Sequence, residues 1–172
     1  MPVLGKARIW TEVGEWQMSK NSSMAQESKY VVFRLGSQRF GLPIESVERI
    51  LPVQPVTPMP KSPEMFLGLF DLRGSTIPVV DARLRLGMEA GAEVKNFVVV
   101  LTPEGRCALR VDEVVGISNF TMEQVEWEGV LIESRKDAFF KGIGKREKEL
   151  TLILDPAHLI PVSLRANVFA AA

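Results

Sequence analysis

The chain repeats itself, and the repeat limits its possible folds more than any other feature. A shift of 67 residues lays Val31–Ile50 over Val98–Ile117 without a gap. Six of the twenty positions are then identical: Val31/Val98, Val32/Val99, Arg39/Arg106, Leu42/Leu109, Val47/Val114 and Ile50/Ile117. Further along, the shift becomes 74. It then pairs Phe66/Phe140, Gly68/Gly142, Leu69/Ile143 and Asp81/Asp155, with Val79 and Val80 over Ile153 and Leu154. Apolar strands resemble one another by chance. Chance does not readily supply the same order of hairpin, apolar-glycine element and Asp-ended strand twice. The spacing predicts two similar β-rich units, 29–87 and 97–161, joined by a connector at 88–96. A tail at 1–28 precedes them and a short helical tail at 162–172 follows.

Local signals fill in each unit. Tyr30–Leu35 is rich in β-branched and aromatic residues, Gly36 and Ser37 form a turn, and Phe40, Leu42 and Ile44 then alternate with other residues. Ile44–Leu51 fits a helical face or a strand equally well. Five prolines in Pro52–Pro63 require an extended path, because proline lacks the amide donor and restricts the residue before it. Ser62, Pro63 and Glu64 then read as a helix start that Gly68 stops. Leu69–Arg73 and Thr76–Asp81 read as a hairpin, followed by one helical turn at Ala82–Leu86. In the second unit, Phe97–Leu101 is a buried strand and Arg106–Val115 its return. Thr121 and Gln124 have capping-box spacing. Val130–Asp137 reads as a loop, and Phe139–Ile143 pairs with Leu150–Asp155. A helix beginning at Pro156–Ile160 is expected to run to the C-terminus. No strong periodicity runs through residues 1–28, although Trp10 and Trp16 are potential anchors.

The fold class is therefore all-β. Each unit has about five short strands, enough to close a small barrel and hide its edges. Each is near the size at which a lone core is marginal, so the two should share an interface. The cleft between them is the natural place for a partner.

Composition narrows the chemistry. Lys and Arg number 21 and so do Asp and Glu, which leaves no basic excess to release counterions from nucleic acid. The single cysteine, Cys107, cannot form an internal disulfide, and with the single histidine, His158, cannot build a Cys/His zinc site. No apolar run is long enough to span a bilayer, and the first 28 residues lack a signal-peptide core. These features place the chain in the cytoplasm, with no cofactor. Cys107 lies among apolar strand residues and reads as a buried hydrophobe rather than a nucleophile. Asp81 and Asp155 read as acceptors for the backbone of the turn that follows each strand, rather than as a catalytic pair. Residues 30–87 carry seven bases and five acids, and residues 97–161 carry eight and eleven.

Two groups stand out for binding. Val47, Ile50 and Leu51 lie on a short apolar element that leads into the proline-rich segment. Asp71, Leu72 and Arg73 approach a hairpin tip at Gly74, where a guanidinium can bond several acceptors at once.

The same residues resemble the CheW-like family. Tyr30–Gly36, Arg39–Ile44 and Val47–Ile50 are similar to its opening. Pro63–Gly68 and Asp71–Asp81 are similar to its helix, Asn-Leu-Arg-Gly-like hairpin and Pro-apolar-apolar-Asp strand. Leu109–Val114, Phe140–Gly144 and Leu152–Asp155 match its second half. The resemblance covers about 29–161 and implies two SH3-like five-stranded β-barrels packed together. It implies a non-enzymatic adaptor whose partners are the regulatory domain of a CheA-type histidine kinase and the cytoplasmic tip of a chemoreceptor. The receptor tip would lie in the groove between barrels. By this resemblance Arg73 contacts the receptor, and Val47 and Ile50 belong to the groove and its rim. Asp71 stands where the family has Asn, and Arg49 where it often has an acid.

A CheW-like paralogue serving a pili-type or other non-flagellar pathway fits the same residues. A tandem SH3-like nucleic-acid-binding module is opposed by the charge balance. A small enzyme using Asp81, Asp155 or Cys107 is the third class.

Overall fold

A computed structural model describes residues 27–91, 93–126, 139–161 and 165. Residues 1–26 of the expected tail, the loop at 130–137 and most of the expected helical tail at 162–172 lie outside these residues; Ser28, expected in the tail, opens the first strand, and the expected helix start at Pro156 is a 3-10 turn. The strands are β1 (Ser28–Leu35), β2 (Gln38–Pro43), β3 (Val47–Pro52), β4 (Phe66–Leu72), β5 (Ser75–Asp81), β6 (Asn96–Thr102), β7 (Gly105–Val111), β8 (Glu113–Phe120), β9 (Val125–Glu126), β10 (Phe140–Arg146) and β11 (Glu149–Leu154). One short α-helix, α1 (Ala82–Arg85), follows β5, and 3-10 turns occupy Ile44–Ser46, Met122–Gln124 and Pro156–His158.

Two local expectations change. The helix start at Ser62–Glu64 is a turn, and Phe66 opens β4 instead. The Ser62 hydroxyl donates to the Met59 carbonyl at 2.7 Å, which closes the turn locally and leaves the next residues free to pair with β5. The ambiguous Ile44–Leu51 segment divides into a single 3-10 turn and β3. The β1–β2, β4–β5 and β10–β11 hairpins, the one-turn helix at Ala82 and the extended proline segment are as expected, whereas the strand expected over Arg106–Val115 breaks at Asp112, where β7 ends and β8 enters the other sheet.

The strands form a six-stranded sheet, β8-β1-β2-β11-β10-β9, and a five-stranded sheet, β3-β6-β7-β5-β4. These sheets do not follow the contiguous division at 87 and 97. Each unit's first hairpin lies in the sheet completed by the other unit. Hairpin β1–β2 meets β8 on one side and β11 on the other, while β6–β7 meets β3 and β5. The repeat survives this exchange in detail. Gly41 pairs with Ile153 as Ala108 pairs with Val79, and Val31 pairs with Ile117 as Val98 pairs with Ile50. The bulges repeat as well: opposite Val114/Gly116 and Val47/Arg49, and at Gly142 and Gly68.

The exchange explains the apolar runs. Along β6, Phe97 and Val99 point into a cluster with Phe70, Ile77, Val79 and Ala108, all from the five-stranded sheet. Val98 and Val100 point the other way, into a cluster that also takes Phe33, Leu35, Phe40 and Leu42 from the six-stranded sheet. A strand buried on both faces needs a continuous apolar sequence rather than an alternating one. Tyr30, Phe120, Val125 and Ile153 form a third cluster within the six-stranded sheet. The largest cluster is thus built from both sheets, which meets the need of two small units for a common core.

Candidate docking surface

β3 and β4 are the end strands of the five-stranded sheet, and they carry all seven candidate residues or lead to them. β3 alternates between half-buried and exposed positions. Val47 packs against the core shared by the two sheets. Leu51 and Leu72 both pack on the Phe70–Phe97 cluster, so opposite ends of the sheet curl over one interior. Ile50 is different: it is 41% exposed although it pairs with the fully buried Val98. Directly opposed residues share a face. Ile50 therefore continues the buried face of β6 outward, at the rim of the shared core. Arg49 lies half-buried beside it, and Val53 adds a further exposed apolar side chain.

The β4–β5 hairpin presents Arg73. Leu72 pairs with Ser75, which leaves Arg73 and Gly74 as the two tip residues. Both have positive φ, 53° and 87°. The left-handed conformation costs a residue with a Cβ about 1 kcal/mol or more, so Gly74 is suited to it and Arg73 is not. Asp71 Oδ2 accepts from the Gly74 amide at 3.3 Å and braces the tip. Among the described residues neither Arg73 nor Arg49 takes part in an ion pair, and the Arg73 side chain is exposed.

The structure packs Leu51 and Leu72 against the same cluster and leaves Ile50 and Arg73 exposed. Val47, Leu51 and Leu72 support the surface from below. Sequence reasoning missed a more extensive polar construction behind it. Arg83 on α1 grips Asp112, the residue between β7 and β8: Nε donates to Oδ1 at 2.8 Å and Nη2 to Oδ2 at 2.5 Å. Asp112 Oδ2 also accepts from the Gly36 amide in the β1–β2 turn at 2.8 Å. The bond from Arg83, with the Gly36 amide, holds the Asp112 carboxyl below the usual carboxylate range, and the same contact raises Arg83. Beside it, Glu113 receives Arg34 at 2.5 Å and Lys95 at 3.3 Å. This network stands where the chain passes from one sheet to the other. The charges were visible in the sequence, but their spacing of 18 residues or more carries no local signal.

Arg85 is buried. Its Nε donates to the Leu159 carbonyl, its Nη2 to the His158 carbonyl at 3.0 Å, and its guanidinium carbon stands 4.6 Å from the Phe139 ring centroid. It joins α1 to the corresponding turn after β11.

The residues with possible catalytic chemistry have local structural partners. Asp81 Oδ1 caps α1 through the Leu84 amide at 3.0 Å, and Asp155 Oδ1 accepts from the Ala157 amide at 3.0 Å. His158 Nδ1 lies 3.0 Å from Asp155 Oδ2. Cys107 is buried in the shared core, and burial pushes its thiol up to about 12. Thr121 donates its amide to Gln124 Oε1 at 2.9 Å, which bears out the capping reading. Among the described residues no group of three or more His, Cys, Asp or Glu side chains is placed to hold a metal ion, and no helix is long and apolar enough to cross a membrane.

Exposed Ile50 on an end strand and exposed Arg73 on a braced tip, carried by two sheets that share a core, have the form of a binding surface rather than of a catalytic site. Residues 29–163 match the CheW-like domain, and the chain belongs to that family. It is 30% identical over 131 residues to the probable chemotaxis protein CheW of Rhizobium etli, covering 75% of this chain and 84% of that one. It is 28% identical over 131 residues to the chemotaxis protein CheW of Thermotoga maritima, covering 76% and 85%. The crystal structure of the scaffolding protein TtCheW from Thermoanaerobacter tengcongensis superposes with a TM-score of 0.72 at 26% identity, covering 80% of this chain and 94% of that one.

Proposed function

We propose that this protein is a chemosensory adaptor that couples a chemoreceptor to a CheA-type histidine kinase. It acts by binding, without making or breaking a bond, and works in the cytoplasm at receptor arrays. Each sheet, with its exchanged hairpin, closes as an SH3-like barrel. The cytoplasmic tip of the receptor, a helical hairpin, lays its apolar face against the rim marked by Ile50, and Arg73 bonds its polar flank. Arg49 and Asp71 set the charge that this flank must match. Val47, Leu51 and Leu72 hold the surface in shape. The kinase's regulatory domain docks on the other barrel. The observation that carries the reading is Ile50 continuing the shared core into solvent, in a chain of this family.

The test is co-purification of the full chain with candidate CheA-type kinases and receptor cytoplasmic fragments. A ternary complex is expected, with kinase activity that depends on the adaptor. Failure to form a complex with any of them would overturn the reading.

A further inference from the structure

The six-stranded sheet carries an arginine without a settled partner. One row of residues crosses it in register: Glu113 on β8, Arg34 on β1, Arg39 on β2 and Thr151 on β11. Two arginines thus stand directly opposite each other, which costs stability unless anions compensate. Arg34 has its anion, since Nη2 meets Glu113 Oε2 at 2.5 Å. Arg39 is less well served. Its Nη1 lies 3.7 Å from Glu149 Oε1, too far for a hydrogen bond, and its Nε is buried with no partner. Among the described residues its guanidinium makes no hydrogen bond, although it has five donors. A quarter of the side chain is exposed, so an acceptor can reach it from outside.

Beside Arg39 a cavity of about 470 Å³ opens between the β1–β2 turn and the β10–β11 tip. Ser37, Gln38 and Arg39 line one side, Lys148, Leu150 and Leu152 the other, and it is half open to solvent. Its size suits a short peptide segment. The turn is held in place, because the Gly36 amide donates to Asp112 Oδ2 at 2.8 Å, and the tip is closed by the Arg146–Glu149 pair. Leu150 and Leu152 share a strand face. Leu152 packs against the shared core, while Leu150 is 57% exposed. The repeat does not build this arrangement twice. Arg106, the counterpart of Arg39, is hydrogen-bonded to Glu48 at 3.1 Å, and Thr76 and Pro78 stand in place of Leu150 and Leu152. The fold alone therefore does not require it.

We propose that this cavity binds an acidic peptide segment of a protein partner, with an Asp or Glu carboxylate bonded by Arg39 and Lys148 and an adjacent apolar side chain against Leu150 and Leu152. Two cations against the single acid Glu149 select a carboxylate, and the exposed leucine selects a peptide over a free ion. Neither Ile50 nor Arg73 lines the cavity, so the inference stands apart from the adaptor reading.

Amide NMR of the full chain, titrated with capped Leu-Glu and Glu-Leu dipeptides, tests it. Saturable shifts are expected at residues 37–39 and 148–152 with at least one of them, at a dissociation constant of about a millimolar. Lys148→Gln, at an exposed tip, and Arg39→Gln should each weaken binding about fivefold or more, while Arg106→Gln should leave it unchanged. The absence of saturable shifts with both peptides overturns the proposal. So do equal affinities for the capped Leu-Gln and Gln-Leu peptides, which would remove the carboxylate, and equal affinity for inorganic phosphate, which would leave a simple anion site.

Discussion

Arg73 and Glu147 occupy the same position in the two halves of the protein and carry opposite charges. Each is the first tip residue of a hairpin, Leu72–Ser75 in one case and Arg146–Glu149 in the other. Each has a left-handed backbone, with φ of 53° and 54°. The pseudo-symmetry therefore preserves the tip and reverses its charge. Two partners meeting the two tips would meet different potentials, and such complementarity governs specificity more than raw affinity.

Arg73→Glu should consequently leave folding intact and weaken receptor-tip binding by tenfold or more, because exposed substitutions usually change stability by less than about 0.5 kcal/mol. Glu147→Arg should leave that binding within about twofold, as expected for an exposed residue outside the contact. Titration calorimetry with a receptor fragment separates the two. Equal losses, or no loss for Arg73→Glu, would remove Arg73 from the interface.

Ile50→Asp is expected to dissociate stability from binding in the same way. Its side chain already meets water, so the unfolding midpoint should shift by no more than a few degrees. Val98→Asp, its buried cross-strand neighbour, should unfold the protein, since it places a charge in the core shared by both sheets. A large loss of stability for Ile50→Asp would mean that this position is structural.

The ion pair between Arg83 and Asp112 makes a pH-dependent prediction. Asp112 has a folded pKa below its unfolded value, so its contribution is present above the unfolded pKa near 4 and is lost as pH falls through the folded one. Asp112→Asn should be less stable at neutral pH, by about 1.5–3 kcal/mol for a charged hydrogen bond, and should lose less on acidification. Urea midpoints from pH 7 to pH 2.5 would show this, and parallel curves for the two proteins would refute it.

Much of the strand content was readable locally, because apolar alternation and turn residues act between neighbours. Phe97–Leu101 announced a buried strand, and Phe97–Val100 are buried on both faces, whereas Leu101 is exposed at its end. The matched acids Asp81 and Asp155 announced two equivalent caps, and the structure supplies both. The exchange of hairpins was not readable. β2 has the same apolar pattern whether its parallel neighbour is β5 or β11, and only packing across the shared core selects β11. The Pro63 segment misled for a related reason: a serine cap and a first-turn proline suit a helix, but Phe66 and Gly68 are taken up by pairing with Val80 and Val79. For the candidate site, sequence singled out residues of one strand and one tip. It did not separate Ile50 and Arg73, which face solvent, from Val47, Leu51 and Leu72, which face cores.

The exchange itself leads to the last prediction. A fragment ending at residue 87 contains β1–β5, all the strands of the first unit of the repeat. Its β1–β2 hairpin would nevertheless lack β8 and β11, and its β3, β4 and β5 would lack β6 and β7. Phe33, Leu35 and Leu42 would lose Val98, Val100 and Leu109, and each buried side chain of that size is worth about 1.5–3 kcal/mol. Residues 1–87 alone should therefore show no cooperative thermal transition and little dispersion in an amide NMR spectrum. A fragment of residues 88–172 should behave likewise. Mixing the two should restore a folded complex, since every missing strand is then supplied. Cooperative folding of either fragment alone would show that the strands can pair within one unit.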